Sequence, residues 1–280
     1  MKKGISLLLI AAMSAMTLAG CSNSSSAAPE TKAPETEAPE TEAPETEAPE
    51  TEAPETDAAE IPVMTHEEFA AAEIEDQVCV ETYVQAKQGW WEDNGQGQAS
   101  IYTQAEDGAY FLYNLPCTEE EYAQLTEGTK IKVTGYKAEW AGEVEIIDAV
   151  FEIEEGNYVA EAVDVTELLG TDELIAHQNE KVSFTGLTVE DFVLNGEATG
   201  DAFKYSYDGS GSQEQNSDLY FQVSYNGQTY QFTVESYLCG NTTDVYKAVE
   251  ALQVGDVVDM EGFLYWYEGA NPHITSVTVK

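Results

Sequence analysis

Two stretches of the sequence share one spacing of glycine and tryptophan, and this repeat limits the folds that the chain can adopt. In residues 127–140 (EGTKIKVTGYKAEW) two glycines stand seven residues apart and a tryptophan follows, and residues 254–266 (VGDVVDMEGFLYW) repeat the pattern. Aligning the glycines pairs apolar residues at every second position: Ile131 with Val258, and Val133 with Met260. Alternate residues of a strand lie on one face, so the match predicts one structural unit that is built twice.

The first copy is predicted to contain three strands, a helix and two more strands. The runs 77–86, 99–105, 109–115, 130–138 and 143–153 are typical of strands. The helix is predicted over 117–128, with Thr118 as its N-cap and acidic residues in its first turn. A short helix before the first strand is indicated by Thr65 with Glu68 three residues later, which is a capping-box pattern.

The second copy is predicted to repeat this order with a longer connection. Strands are expected over 181–189, 218–225 and 228–236, a helix over 241–253, and two final strands in DVVDMEGFLYWY and HITSVTVK. Asn226-Gly227 between the second and third strands is a strong signal for a type I′ hairpin turn. The additional residues predict a long loop insertion near 190–217.

The strand and helix order resembles the OB-fold, a small five-stranded barrel with a helix between its third and fourth strands. The resemblance covers roughly residues 65–155 and 172–280. It implies an all-β fold class with short helices, in which two tandem OB-fold-like barrels occupy residues 61–158 and 159–280. The whole arrangement also resembles a group of lipoproteins from anaerobic gut bacteria with tandem OB-fold-like domains, which implies a location and a fold but no activity.

The first sixty residues predict export and tethering. Lys2 and Lys3, a short apolar run and small residues are typical of a secretion signal over 1–20. Cys21 directly follows LAG and resembles the lipobox of bacterial lipoproteins, so it is expected to be lipidated; the alternative is an ordinary secretory signal with an incidental cysteine. The five-residue repeat APETE dominates residues 21–60 and predicts an extended acidic spacer, unless the repeat itself binds a partner. The expected location is extracytoplasmic, with the protein anchored to the cell membrane at the cell surface.

The charge of the chain is strongly negative. The sequence has 11 basic and 53 acidic residues, and loss of Lys2 and Lys3 with the signal leaves 9 against 53, a net charge of −44. All the basic residues are lysines, so no arginine can supply the bidentate contact that phosphates favour. From this composition we expect no nucleic-acid partner, repulsion from anionic lipid headgroups, and membrane contact only through the lipid on Cys21.

Three cysteines remain after Cys21, and an odd number cannot pair within one chain. A disulfide between Cys79 and Cys117 is compatible with an exported compartment. Buried free thiols that act as small apolar residues are the other alternative.

The candidate binding residues are aromatic side chains near the predicted barrel mouths. OB-like barrels usually bind ligands on their second and third strands, between the loop after strand one and the loop after strand four. In this sequence those positions hold Trp90, Trp91, Trp140, Tyr102, Tyr110, Tyr113, Tyr265, Trp266 and Tyr267. Exposed aromatic residues there would stack on a sugar ring or a peptide, whereas buried ones would close the barrel ends or join the two barrels.

The sequence carries no recognisable catalytic or cofactor motif. His66, His177 and His273 lie far apart, without metal-ligand spacing to a cysteine or carboxylate, so neither a metal nor a cofactor is expected. The favoured function is a non-enzymatic surface-binding or scaffold module for a glycan, peptide or envelope protein, with unknown oligomeric state. The alternatives are an accessory lipoprotein that binds a small ligand for a membrane partner, and a hydrolase without a sequence signature.

Overall fold

The structure is a computed structural model that describes residues 61–280. Its first sheet closes into a barrel. Its elements in chain order are α1 (His66–Ala71), β1 (Gln77–Lys87), β2 (Trp91–Asp93), β3 (Gln96–Ala105), β4 (Gly108–Pro116), α2 (Glu119–Gln124), β5 (Thr129–Trp140) and β6 (Glu143–Asn157). The strands lie in the order β1-β5-β6-β4-β3-β2. Because β1 pairs with β3 as well as with β5, five strands form a closed ring, to which β2 is added at β3.

The second sheet closes in the same way. Its elements in chain order are β7 (Val163–Asp164), β8 (Lys181–Val189), β9 (Val193–Leu194), β10 (Glu197–Ala198), β11 (Phe203–Tyr205), β12 (Leu219–Tyr225), β13 (Gln228–Val234), α3 (Asp244–Glu250), β14 (Val257–Phe263) and β15 (His273–Val279). The order is β11-β12-β13-β15-β14-β8-β7, and an additional pairing of β12 with β8 closes the ring. Strands β9 and β10 pair only with each other.

The predicted fold class is confirmed. Each ring has the order first, second, third, fifth and fourth strand, its third and fifth strands run parallel, and a helix joins its third and fourth strands. This is the OB-fold topology. The insertion near 190–217 is not a plain loop, because it carries β9, β10 and β11. Two 3₁₀ helices, Thr166–Leu168 and Leu174–His177, lie between β7 and β8 in the sequence.

The repeated glycines have matching structural roles. Gly128 and Gly255 each precede the fourth barrel strand with φ values of 87° and 94°, a left-handed backbone that favours glycine. Gly135 and Gly262 lie at register shifts inside β5 and β14. A Cβ at Gly135 would lie 2.8 Å from the Ile147 carbonyl oxygen, so a bulge with close backbone approach requires glycine there.

The α-helices are shorter than the sequence predicts, although their caps are as expected. Thr65 and Thr118 both form capping boxes, with Glu68 and Glu121 respectively. Helix α2 ends at Gln124 because Leu125 leaves helical geometry and is fully buried in the first barrel. Helix α3 likewise covers only part of the predicted 241–253.

Each barrel has its own apolar core, and a third buried cluster joins the two. The third cluster consists of Tyr102 and Phe111 from the first barrel and Phe263 from the second. The rings of Tyr102 and Phe263 stack with their centroids 4.5 Å apart and an interplanar angle of 13°. Hydrogen bonds also join the two barrels, including Glu268 N to Ala141 O at 2.7 Å and Lys181 N to Gln104 Oε1 at 2.8 Å. All described residues belong to one compact unit.

The disulfide between Cys79 and Cys117 is not formed. Both thiols are buried and free, as is the thiol of Cys239. Cys79 lies near the start of the eleven-residue strand β1, whereas Cys117 donates its backbone N–H to Gly97, beyond the other end of that strand. This separation along a strand is several times the roughly 6 Å between Cα atoms that a disulfide needs.

Candidate functional site

A cleft of about 540 Å³ lies on the outer face of β12 and β13, and we name it the first cleft. Register pairs Tyr220 with Thr233, and Gln222 with Gln231, so alternate residues of both strands point to this face, while Phe221 and Phe232 point into the core. The loop between β14 and β15 forms one side of the cleft, and Trp140, the last residue of β5 in the first barrel, also lines it.

The first cleft combines aromatic rings with neutral and acidic hydrogen-bonding groups. Its aromatic lining is Trp140, Tyr207, Tyr220, Tyr265 and Tyr267, and its polar lining is Asp218, Gln231, Thr233, Glu235, Asn271 and His273. The rings of Trp140 and Tyr267 pack with centroids 5.2 Å apart, so the two barrels contribute one aromatic pair. Thr233 Oγ1 donates to Asn271 Oδ1 at 2.8 Å, which holds the loop against β13.

Burial controls the ionisation of the groups at the floor of the first cleft. Burial raises the pKa of Glu235 to about 7, although its carboxylate accepts hydrogen bonds from the backbone N–H groups of Tyr237 and Leu238. Burial lowers the pKa of His273 to about 3, so this imidazole is neutral at pH 7 and accepts or donates a hydrogen bond with Tyr102 Oη at 2.9 Å. Burial, and then the charge of Asp218, raise the pKa of Tyr220 to about 12.

A second cleft of about 450 Å³ lies on the corresponding face of the first barrel. Ser100 comes from β3, Tyr113 and Asn114 from β4, and Tyr237 from the second barrel; the lining is completed by Gln88, Gly89 and Trp91. Ser100 Oγ accepts the backbone N–H of Asn114 at 3.1 Å. Each cleft is therefore built on the second and third strands of one barrel, with an aromatic side chain from the other barrel at its edge.

Five of the nine predicted aromatic residues lie in these clefts. Trp140, Tyr265 and Tyr267 line the first cleft, and Trp91 and Tyr113 line the second. The sequence neighbours of Trp91 predict a loop, but Trp91 is the first residue of β2 and pairs with Gln98. Among the six most exposed lining aromatics, the exposed fraction runs from 42% for Trp91 to 73% for Tyr207.

The other four predicted residues do not line a cleft. Tyr102 is fully buried between the barrels, and Tyr110 is buried against Phe69 of α1, with ring centroids 5.0 Å apart. As candidates for ligand contact both are wrong, because each fills an interior contact. Trp90 donates its Nε1–H to Cys117 O at 3.0 Å, and the half-buried Trp266 packs against Gly142 at the barrel contact.

Sequence reasoning missed several residues of the first cleft. Tyr207 lies in the insertion, for which the sequence predicts only a loop, and Asp218 and Glu235 flank the β12–β13 hairpin. Tyr220 carries the signal that could have identified it, because it alternates with the inward residues Leu219 and Phe221 and so points outward. Tyr237 of the second cleft follows β13 and has no comparable signal.

Neither a metal centre nor a membrane-spanning helix is found among residues 61–280. In that range no group of three or more His, Cys, Asp or Glu side chains is arranged to hold a metal ion. No helix within the same range is long and apolar enough to cross a membrane. The predicted signal, lipidation site and spacer lie outside the described residues.

Comparison with known proteins yields similarity of structure alone. No protein-family description and no curated protein matches the chain. A murine DNA-binding protein solved with double-stranded DNA has a TM-score of 0.33 at 11% identity over 72% of this chain and 94% of its own. The Ifi202 HINa domain in complex with double-stranded DNA has a TM-score of 0.32 and 10% identity, and the match covers 73% of this chain and 98% of that domain. A replication protein A heterotrimer bound to single-stranded DNA has a TM-score of 0.29 and 10% identity, and the match covers 73% of this chain and 49% of that one.

These structures contradict the prediction that excludes nucleic acid as a partner. All three are described with bound DNA, so the exclusion drawn from composition is wrong as it was argued. The physical error is that net charge is summed over all surfaces of the chain, whereas a ligand meets one face. Similarity at this level transfers no ligand to the present chain.

Proposed function

We propose that this protein is a non-enzymatic binding module that holds a neutral glycan in the first cleft, presented at the cell surface by a lipid on Cys21 and the acidic spacer of residues 21–60. The observation that carries the proposal is the pairing of exposed aromatic rings with amide, hydroxyl and carboxyl groups in one cleft between two barrels. A volume of about 540 Å³ lies within the range of ordinary ligand pockets.

The chemistry of the cleft favours a glycan. A sugar ring presents C–H groups on its face and hydroxyl groups around its edge, so it needs a flat apolar surface beside hydrogen-bonding partners. Trp140 and Tyr267 supply the surface, since 55% and 47% of their side chains are exposed. Gln231 and Asp218 on the adjacent strands supply partners for the hydroxyl groups.

The charge of the lining favours a neutral ligand over an anionic one. Asp218 and Glu235 are acidic, and the lining residues described here include no lysine. His273 is neutral at pH 7 because burial lowers its pKa to about 3. A sulfated or carboxylated sugar would therefore meet no opposite charge in the cleft.

The test is a glycan array followed by calorimetry on the full-length chain in mild detergent. For a neutral glycan that binds, the double variant Trp140→Ala/Tyr267→Ala is expected to lose at least tenfold in affinity, about 1.4 kcal/mol, because exposed aromatic anchors dominate such contacts. Tyr136→Ala is the matched control: Tyr136 is 43% exposed on β5 but lines neither cleft. Undiminished binding by the double variant, or preferred binding of a peptide or oligonucleotide, would overturn the proposal.

The anchoring part of the proposal has its own test. Mass spectrometry of the protein from its native membranes is expected to find acyl groups on Cys21, and Cys21→Ser is expected to move the protein from the membrane to the soluble fraction. Multiple acyl chains hold a protein stably on a membrane, whereas one chain is marginal. An unmodified Cys21 in the membrane-derived protein would contradict the lipoprotein assignment.

A further inference from the structure

The first and second clefts meet at one hydrogen bond between the barrels. Gln88, which lines the second cleft, donates from Nε2 to Oε2 of Glu235, which lines the first, at 3.1 Å. Beside it, the backbone N–H of Gly89 donates to the carbonyl of Tyr237 at 2.8 Å. The two clefts therefore share a wall that includes both of these contacts.

The aromatic linings are also connected across this wall. The Phe111 ring lies 5.6 Å from Tyr265 of the first cleft and 6.5 Å from Tyr113 of the second, measured between centroids. Phe111 itself is buried in the cluster between the barrels. The buried ring of Phe111 thus contacts one aromatic side chain of each cleft and fixes the spacing between Tyr265 and Tyr113.

We propose, on the basis of the function proposed above, that the two clefts form one groove and that the ligand is an extended oligosaccharide, with successive sugar units held in the first and second clefts. Two separate pockets for small sugars would need no shared wall, whereas a chain that runs from one barrel face to the other passes directly over Gln88 and Glu235.

The lining of the second cleft repeats the chemistry of the first. Trp91, Tyr113 and Tyr237 offer exposed rings, and Gln88 and Asn114 offer neutral hydrogen-bonding groups. The second cleft has no charged lining residue among those described. It therefore also fits a neutral sugar unit, and not a phosphate or sulfate group.

The chain-length dependence of binding tests this inference. Calorimetry on the full-length chain would use a series of one neutral glycan, from the monosaccharide to an oligosaccharide long enough to cover both clefts. We expect affinity to rise at least tenfold between the shortest and the longest member, since the second site is filled at high effective concentration once the ligand spans the wall.

Two double variants locate the additional affinity. Trp91→Ala/Tyr237→Ala is expected to remove the tenfold gain with length and to leave the shortest bound ligand unchanged, whereas Trp140→Ala/Tyr267→Ala weakens every member. Trp91 and Tyr237 are 42% and 70% exposed, so the fold should persist, and an unchanged melting temperature checks this. Should the pair unfold, Tyr237→Ala alone serves the same purpose, and Tyr136→Ala remains the control.

The outcomes separate this inference from the proposed function. Length-independent binding that is lost only in the Trp140→Ala/Tyr267→Ala variant would overturn the continuous groove and keep the first cleft as the binding site. Binding that depends on length but is insensitive to Trp91→Ala/Tyr237→Ala would also overturn the groove. Absence of binding to any neutral glycan would overturn the proposed function and this inference with it.

Discussion

A carboxyl group buried between the barrels offers the sharpest test of how they are joined. Glu143 is the first residue of β6 and is fully buried. Its Oε2 accepts the backbone N–H of Trp266 at 2.8 Å and the side-chain amide of Gln178 at 3.2 Å. Its Oε1 has no hydrogen-bond partner among the described residues, and neither does Oδ1 of the buried Asn179. The substitution Glu143→Gln keeps the shape and the acceptor for Trp266 while removing the titration.

The sign and size of the effect follow from the pKa of Glu143. Burial raises this pKa from 4.5 to about 8, an effect that the hydrogen bonds from Trp266 and Gln178 only partly offset. Between these two pH values the folded protein holds a proton that the unfolded chain has released, so stability falls as pH rises. At about 1.36 kcal/mol per pKa unit, the ionisation of Glu143 lowers the free energy of unfolding of the wild type by about 3 kcal/mol at pH 7 and by nearly 5 kcal/mol above pH 8.

Urea unfolding of wild type and Glu143→Gln between pH 4 and pH 8 measures this difference. We expect nearly equal stability at pH 4 and an advantage of about 3 kcal/mol for Glu143→Gln at pH 7. Comparing the two proteins at each pH cancels the contribution of Glu235, whose pKa burial raises to about 7. Burial also raises the pKa of Glu145 to about 7, and of its contribution only the charge interaction with Glu143 remains in the difference. Glu155→Gln, an exposed site on the same strand, is the control. A difference that stays constant with pH, or a less stable Glu143→Gln at pH 7, would refute the reasoning.

Two further predictions concern the barrel contact and the strand bulge. Tyr102→Phe should lower the free energy of unfolding by about 1–3 kcal/mol, because it removes the hydrogen-bond partner of the buried His273 ring. In the same urea titrations, Tyr136→Phe at an exposed site should have little effect. Equal losses of stability at both sites would contradict this prediction. Gly262→Ala should cost at least about 2 kcal/mol, because its Cβ would lie 2.8 Å from Ile274 Cα and closer still to the His273 carbonyl oxygen. In Gly89→Ala the new Cβ would lie 3.9 Å from its nearest neighbour, so the free energy of unfolding should change by no more than about 0.5 kcal/mol. Melting curves that show Gly89→Ala to be the less stable of the two variants would refute the role assigned to Gly262.

The barrels could be predicted from the sequence because their signals are local. A left-handed turn and a bulge with close backbone approach both require glycine, so Gly128 and Gly135 in the first copy and Gly255 and Gly262 in the second mark the fourth strand. The alternation of Ile131 and Val133 likewise reports a buried face, and both side chains are fully buried. Hairpin turns such as Asn226-Gly227 carry their backbone requirement in the residue type, and both residues have positive φ.

The candidate site could be predicted only in part because exposure is decided by the other barrel. Tyr102 points out of its own barrel and is nonetheless buried, since Phe263, 161 positions later in the chain (263 − 102), stacks on it. Tyr110 could have been excluded from the sequence, because it lies three residues from Tyr113 and so faces the opposite side of β4. No local pattern indicates that Tyr237 meets Gly89, or that Gln88 meets Glu235.

The charge argument failed for a related reason. The net charge of −42 sums carboxylates that are spread over the whole chain, and it does not describe the clefts. The first cleft has two carboxyl groups, one of them with a pKa near neutrality, and the second has none. Partner chemistry therefore has to be read from the lining of each cleft.

The indole N–H resonances give the most direct test of the central claim, that the exposed aromatic residues of the two clefts form the binding surface. The chain has four tryptophans, so a two-dimensional ¹H–¹⁵N spectrum contains four indole signals. During titration with a neutral oligosaccharide that binds, we expect the signals of Trp140 and Trp91 to shift. Those of Trp90, which donates to Cys117 O, and of Trp266 should stay in place. Binding that leaves the Trp140 signal unmoved, or that shifts Trp90 and Trp266 instead, would contradict the account.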